Sequence, residues 1–323
     1  MSSNIDTPVV AAPAAAVPAS QGRMFGTLVA LVRREFWEHR GLWVAPLAAA
    51  GLLVVFALFA HGHVAHITIE DEDIGGNWGM REALALSTYM QGVVWVVLTI
   101  VMAFVLTFYF VDCLYAERKD RSIYFWKSLP VSDGLTVASK IVAGGVVVPF
   151  GVLLLAAVTH IVLVSIFAAH AALGQLPRGL IAWNTLTWLR VEGLLFLGVI
   201  LGILWNLPIT GYLLLVSVTS RRNPLMWAMV PFLLALLEFI LLRTTYLWTF
   251  IHYRMGGIWS VLANGGNLRF VHATQHHMLP LDALWGDLNF YAAFTNLDLW
   301  LGVVVAAGLV YAATRIRRFR DDS

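Results

Sequence analysis

The sequence predicts an all-α, polytopic membrane protein with six transmembrane helices, an N-terminal amphipathic interfacial helix and both termini in the cytoplasm. Three observations carry that prediction. Of 323 residues, 59% are hydrophobic and only 12% charged, against roughly 25% charged in a typical soluble domain. Apolar runs of about 18 residues recur along the chain, long enough to cross hydrocarbon as helices. Lysines and arginines gather on alternate connections, as they do on the cytoplasmic side of a membrane. The net charge of +2 gives bulk electrostatics no hold on nucleic acid, so none is expected as a partner. The single cysteine, Cys113, excludes an internal disulfide framework and a multi-cysteine metal site.

Residues 1–22, with Pro13 and Pro18 among alanines, lack a basic segment ahead of their apolar stretch. They read as a disordered cytosolic tail and not as a signal peptide. Over 23–41, Phe25, Leu28, Val29, Val32 and Phe36 recur at helical spacing, while Arg33, Arg34, Glu38 and Arg40 take the other positions. That pattern predicts an amphipathic helix on the inner membrane surface, bending near Gly41. The alternative is an inward extension of the first span. The transmembrane domain runs over 42–319, with spans expected at 42–60, 89–111, 141–167, 193–219, 224–242 and 299–314. The last is about 24 Å long and leans on snorkelling by Arg315. An outer loop over 243–298, rich in tryptophan, tyrosine and glycine, predicts interfacial helices and no separate domain. Residues 320–323 form a short tail.

With the N-terminus inside, 15 of the 21 lysines and arginines fall on inner segments, and the acidic run 70–73 falls outside. Seven of the ten histidines are expected outside. The spacing of His272, His276 and His277 also fits a histidine box of the kind that ligates iron in membrane oxygenases, or a copper or zinc site. A metal-dependent enzyme or metal-handling protein is therefore one alternative function, set against interfacial histidines that hold no metal. An ion-coupled carrier or channel is another, because Glu238 lies inside the fifth span, where an acid must face protein or water. Glu238 and Asn206 are the candidate residues of a substrate path. The bland readings are a structural ion pair for Glu238, a kink at Asn206 and Pro208, and a satisfied interhelical group at His160.

The segment 115–140 is the most informative. Glu117, Arg118, Lys119, Asp120 and Arg121 place both signs of charge beside Ile123, Tyr124, Phe125, Trp126 and Leu129. Aromatic anchors rimmed by charge suit a protein-docking surface, and Ser132 or Asp133 suits the N-cap of a following helix. The order Tyr115, Glu117, Arg118, Ser122, Ile123, Phe125, Ser128, Leu129, Pro130, Val131, Ser132 and then Lys140 resembles the permease subunit of ABC-2 type ABC transporters. The resemblance, with its N-terminal helix and six spans, covers about residues 24–318. It implies a membrane subunit, an exporter by family habit, in the bacterial inner (cytoplasmic) membrane. It further implies that 115–140 contains a coupling helix, with Tyr115, Glu117, Arg118, Asp120, Arg121, Ser122, Phe125, Ser128, Leu129 and Pro130 serving a separate ABC ATPase subunit. A second permease chain, identical or not, completes the implied assembly. ATP and magnesium would sit on the ATPase, since no Gly-x-x-x-x-Gly-Lys-Ser/Thr occurs in this chain. The chain would then be no enzyme and carry no cofactor of its own. Apolar helix faces do not specify the transported substrate.

Overall fold

Backbone groups in hydrocarbon must pair within their own segment, and every regular element among the described residues of the computed structural model is helical. The structure describes residues 21–59, 80–122, 131–176, 181–262 and 288–319. In order these hold α1 (Gln21–Glu38), α2 (Gly41–Phe59), α3 (Met80–Lys119), α4 (Asp133–Val142), a π-helical turn (Ala143–Val147), α5 (Val148–Ala172) and α6 (Thr185–Thr219). After them come α7 (Pro224–Ala228), α8 (Val230–Leu242), α9 (Tyr246–Leu262), α10 (Phe290–Thr295) and α11 (Leu297–Phe319). The expected tails, at 1–20 and 320–323, and the histidines at 61, 63, 66, 272, 276 and 277 lie outside the described residues, as do Phe125, Ser128, Leu129 and Pro130.

Among the described residues, five stretches are long and apolar enough to cross a membrane: α2, Ala83–Lys119 of α3, α4 through α5 as Asp133–Ala172, α6 and α11. This is a multi-pass membrane architecture. The fifth expected span, 224–242, is divided. α7 ends at Ala228, Met229 still donates to Leu225 O and accepts from Leu233 N, and α8 begins with Pro231 in its first turn, where the ladder loses a donor. Proline has no N–H to donate and its ring crowds the carbonyl four residues back. What remains unbroken is the 13 residues of Val230–Leu242, about 20 Å at 1.5 Å per residue.

α3 is central, packing on α2, α5 and α6, and α6 packs in turn along α11. Close approach is made by small residues, as is usual where lipid gives helices no hydrophobic reason to associate. Gly211 of α6 faces Ala306 and Leu309 of α11, where an added Cβ would stand 3.1 Å from the Leu309 Cβ. In α2 the buried residues include Ala50 and Ala57, while Leu52, Phe56 and Phe59 are exposed. α8 buries only Ala235 and Glu238. It folds back on α9 through a turn in which Arg243 adopts the left-handed conformation, φ 54°.

The main core runs through α2, α3, α5 and α6. A second, smaller cluster (Leu201, Trp205, Ile258, Leu262, Ala293 and Leu299) joins α6, α9, α10 and the start of α11. There the Trp205 indole donates to Arg254 O at 3.0 Å, Tyr253 OH donates to Asp298 at 2.8 Å, and the Arg254 guanidinium lies 4.7 Å over the Trp205 ring.

Candidate functional site

The helix spacing of α1 brings Leu31 and Glu35 inward together, while Phe25, Val29 and Trp37 stay exposed. On α11, Leu299, Gly302, Ala306 and Ala313 form the buried face, and Arg317, four residues after Ala313, continues it. α3 delivers Glu117 and α4 delivers Asp133 and Lys140. These residues from four helices meet at one end of the bundle in a buried charged node.

Lys140 is its centre, fully buried at 0% exposure. Its ammonium donates to Glu35 Oε1 at 2.9 Å and reaches Glu117 Oε1 at 3.0 Å. Glu117 Oε1 also receives Arg34 Nη2 at 3.2 Å, and its Oε2 accepts from Arg317 Nη1. Arg317 Nε donates to Asp133 Oδ1 at 3.1 Å. Tyr109 OH donates to the second oxygen of Glu35 at 2.9 Å, and Arg34 is forked onto Glu38 at 2.7 and 3.0 Å. Three cations thus face four carboxylates, each charge paired, which is the condition under which buried charge is tolerated. Burial works against the Arg34 charge, but the Glu38 hydrogen bond and the fields of Glu38, Glu117 and Glu35 outweigh it and raise the guanidinium above its usual value. His39 lies edge-on to the Tyr109 ring, centroids 4.9 Å apart. Burial holds this imidazole below its usual value; Glu35 pulls the other way and Lys140 reinforces burial.

The node depends on how α3 and α4 approach. An added Cβ at Gly144 would lie 2.8 Å from both Phe110 and Tyr109 ring carbons, so only glycine lets those rings seat against the helix. Gly144 belongs to the π-helical turn, where one extra residue per turn re-aims the chain between Lys140 and α5. A second set of bonds fixes the end of α3 to the end of α6. Arg118 donates to Ser217 O and Ser220 O, both at 2.8 Å, completing carbonyls at a helix C-terminus. Tyr115 OH donates to Arg222 O at 2.6 Å.

Of the residues expected to dock a partner, Glu117 is 5% exposed and faces into the node. Tyr115 and Arg118 are half-buried against α6, and Ser122 Oγ donates to Glu117 O at 3.3 Å. Lys119, Asp120 and Arg121 are exposed, with Arg121 ending α3 at φ 56°. Ser132, not Asp133, is the N-cap of α4 and accepts from Leu135 N. Sequence reasoning missed Glu35 and Arg317. Their positions four residues after Leu31 and Ala313 were the available signal.

The residues named for a substrate path, Glu238 and Asn206, lie apart from the node and bond to backbone. Glu238 accepts from Tyr246 N and Thr244 OH on one oxygen and from Leu247 N on the other, capping the first turn of α9. The Asn206 amide donates to Gly202 O of its own helix at 2.8 Å. Glu35, Glu38 and His39 bring ligand atoms within 4.8 Å of one another. A metal there would have to displace Lys140 from Glu35 and Arg34 from Glu38, so ammonium and guanidinium already supply the positive charge. Beside the node, a cavity of about 350 Å³ between α4 and α11 is lined in part by Ser132, Asp133, Thr314, Arg315 and Arg318.

Comparison of the chain with protein-family models, curated proteins and solved structures finds no match.

Proposed function

We propose that this chain is the membrane subunit of an ABC transporter of the ABC-2 kind, moving its substrate by alternating access when a separate ATPase subunit closes on ATP. The observation that carries the reading is the buried node at the mouth of the segment between α3 and α4. That segment holds the run that resembles a coupling helix, and its two flanks end in Glu117 and in Asp133 and Lys140. Through those side chains a displacement of the segment reaches α1 and α11 directly, and through Arg118 it reaches α6. Polar contacts of this density transmit a push, because moving Glu117 or Lys140 strips several buried charges of a partner at once.

In this reading the node faces the cytoplasm, in keeping with the basic bias of the inner segments. Asp120 and Arg121 are the exposed charges offered to the ATPase, and Glu117 acts through the helices it holds. The chain works as a pair of permeases with a pair of ATPases, and its chemistry is conformational.

The test is co-purification. A tagged chain expressed in its native host brings down an ATPase with a Gly-x-x-x-x-Gly-Lys-Ser/Thr motif. Charge reversal at the two exposed positions (D120R with R121E) abolishes the association while the chain still inserts and elutes normally. A chain that moves its substrate in liposomes without ATP or partner would sink the proposal.

A further inference from the structure

At the end of the bundle away from the node, α3, α5 and α6 enclose a second polar site. His160 of α5 is 1% exposed, and its Nε2 lies 3.0 Å from Ser87 O of α3. A carbonyl oxygen only accepts, so the ring hydrogen sits on Nε2 and Nδ1 presents a lone pair. That Nδ1 is buried and has no protein partner. The indole Nε1–H of Trp188, a group that can only donate, is also buried without a protein partner. Both residues line one pocket, together with Ser87, Thr88, Gln91 and Trp183. Thr88 Oγ donates to Leu84 O at 3.0 Å and keeps lone pairs for a further donor. Gln91 is turned to Glu192, 2.8 Å away.

One unfilled acceptor and one unfilled donor on the same small pocket are complementary to a ligand that both donates and accepts. A buried polar atom left bare costs about 1–3 kcal/mol, so leaving both bare is expensive. The pocket offers about 10 Å³ to the centre of a water-sized occupant. That is close to the least volume that holds one water. We propose that this pocket is a binding site for a single water, which accepts from Trp188 Nε1–H and donates to His160 Nδ1 and to Thr88 Oγ. Three hydrogen bonds are the usual complement of a buried water. The bound water joins α3, α5 and α6 where the protein supplies no direct hydrogen bond between His160 and Trp188.

Solid-state NMR of the full chain in lipid nanodiscs, with ¹⁵N-labelled histidine and tryptophan, tests this. The expected result is a His160 ring protonated at Nε2, with Nδ1 shifted as a hydrogen-bonded acceptor, and magnetisation transfer from water to one buried indole that W188F removes. In that variant the His160 Nδ1 resonance moves toward its free position. A ring protonated at Nδ1, a buried indole without water transfer, or an Nδ1 resonance that W188F leaves unmoved would each overturn the proposal.

Discussion

Lys140, Glu35, Glu117 and Arg317 are costly to bury singly and stable only as a set. Glu117→Gln removes one charge and leaves Lys140 and Arg317 short of a partner, so the expected loss is about 3–5 kcal/mol of stability. Thermal unfolding in detergent reads it, and the E117Q/K140M pair should lose much less than the two single changes added together. A change within about 0.5 kcal/mol for E117Q would contradict the described burial. His39 gives a pH signature. Because its folded value is depressed, the unfolded chain binds the proton first as pH falls, so stability is complete above the ordinary histidine value of about 6.5 and declines below it. The melting temperature of the protein should therefore drop between pH 7.5 and 5.5 by more than that of H39F, which keeps an aromatic ring against Tyr109. Lys140 and Glu117 stood out in the sequence as charges next to a span. Glu35 and Arg317 did not, because a charge at a membrane boundary looks the same whether it snorkels to water or turns inward.

Helix existence was legible for α2, α3, α5, α6 and α11, since an uncharged run of that length has no other stable form in lipid. Inward faces were not. In a soluble helix the apolar stripe marks the core, but here Leu52 and Phe56 are as apolar as Ala50 and Ala57, and the larger residues are the exposed ones. Residue size is the usable signal, and it predicts where helices are sensitive. Gly144→Ala forces a methyl to 2.8 Å from the Tyr109 and Phe110 rings, with an expected cost of about 1–3 kcal/mol. Gly51→Ala, which meets nothing within 4 Å, should be silent in the same melting assay. The split of 224–242 into α7 and α8 was announced by Pro231, although an apolar run with Glu238 as its lone charge hid it. Glu238→Ala should free the first amides of α9, so Tyr246 and Leu247 exchange hydrogen faster while α11 is unchanged.

The whole chain reads as two polar ends separated by apolar packing: the node on one side, and the Trp205–Arg254–Asp298 and His160 clusters on the other. Which end faces the cytoplasm is accessible to labelling, and the protein is favourable for it because its lone Cys113 is 1% exposed and so a silent background. D120C should resist a membrane-impermeant maleimide in intact cells and react once the inner face is opened. Reaction in intact cells would reverse the proposed orientation. The π-helical turn at Ala143–Val147 sets the angular phase between these ends. Each residue advances an α-helix by about 100°, whereas a π turn takes up about one residue more in the same rotation, so the same five residues re-wound as ordinary α-helix would swing Lys140 about a quarter-turn off Glu117. A chain re-wound in this way would keep its spans and its hydropathy while losing mechanical continuity from one membrane face to the other.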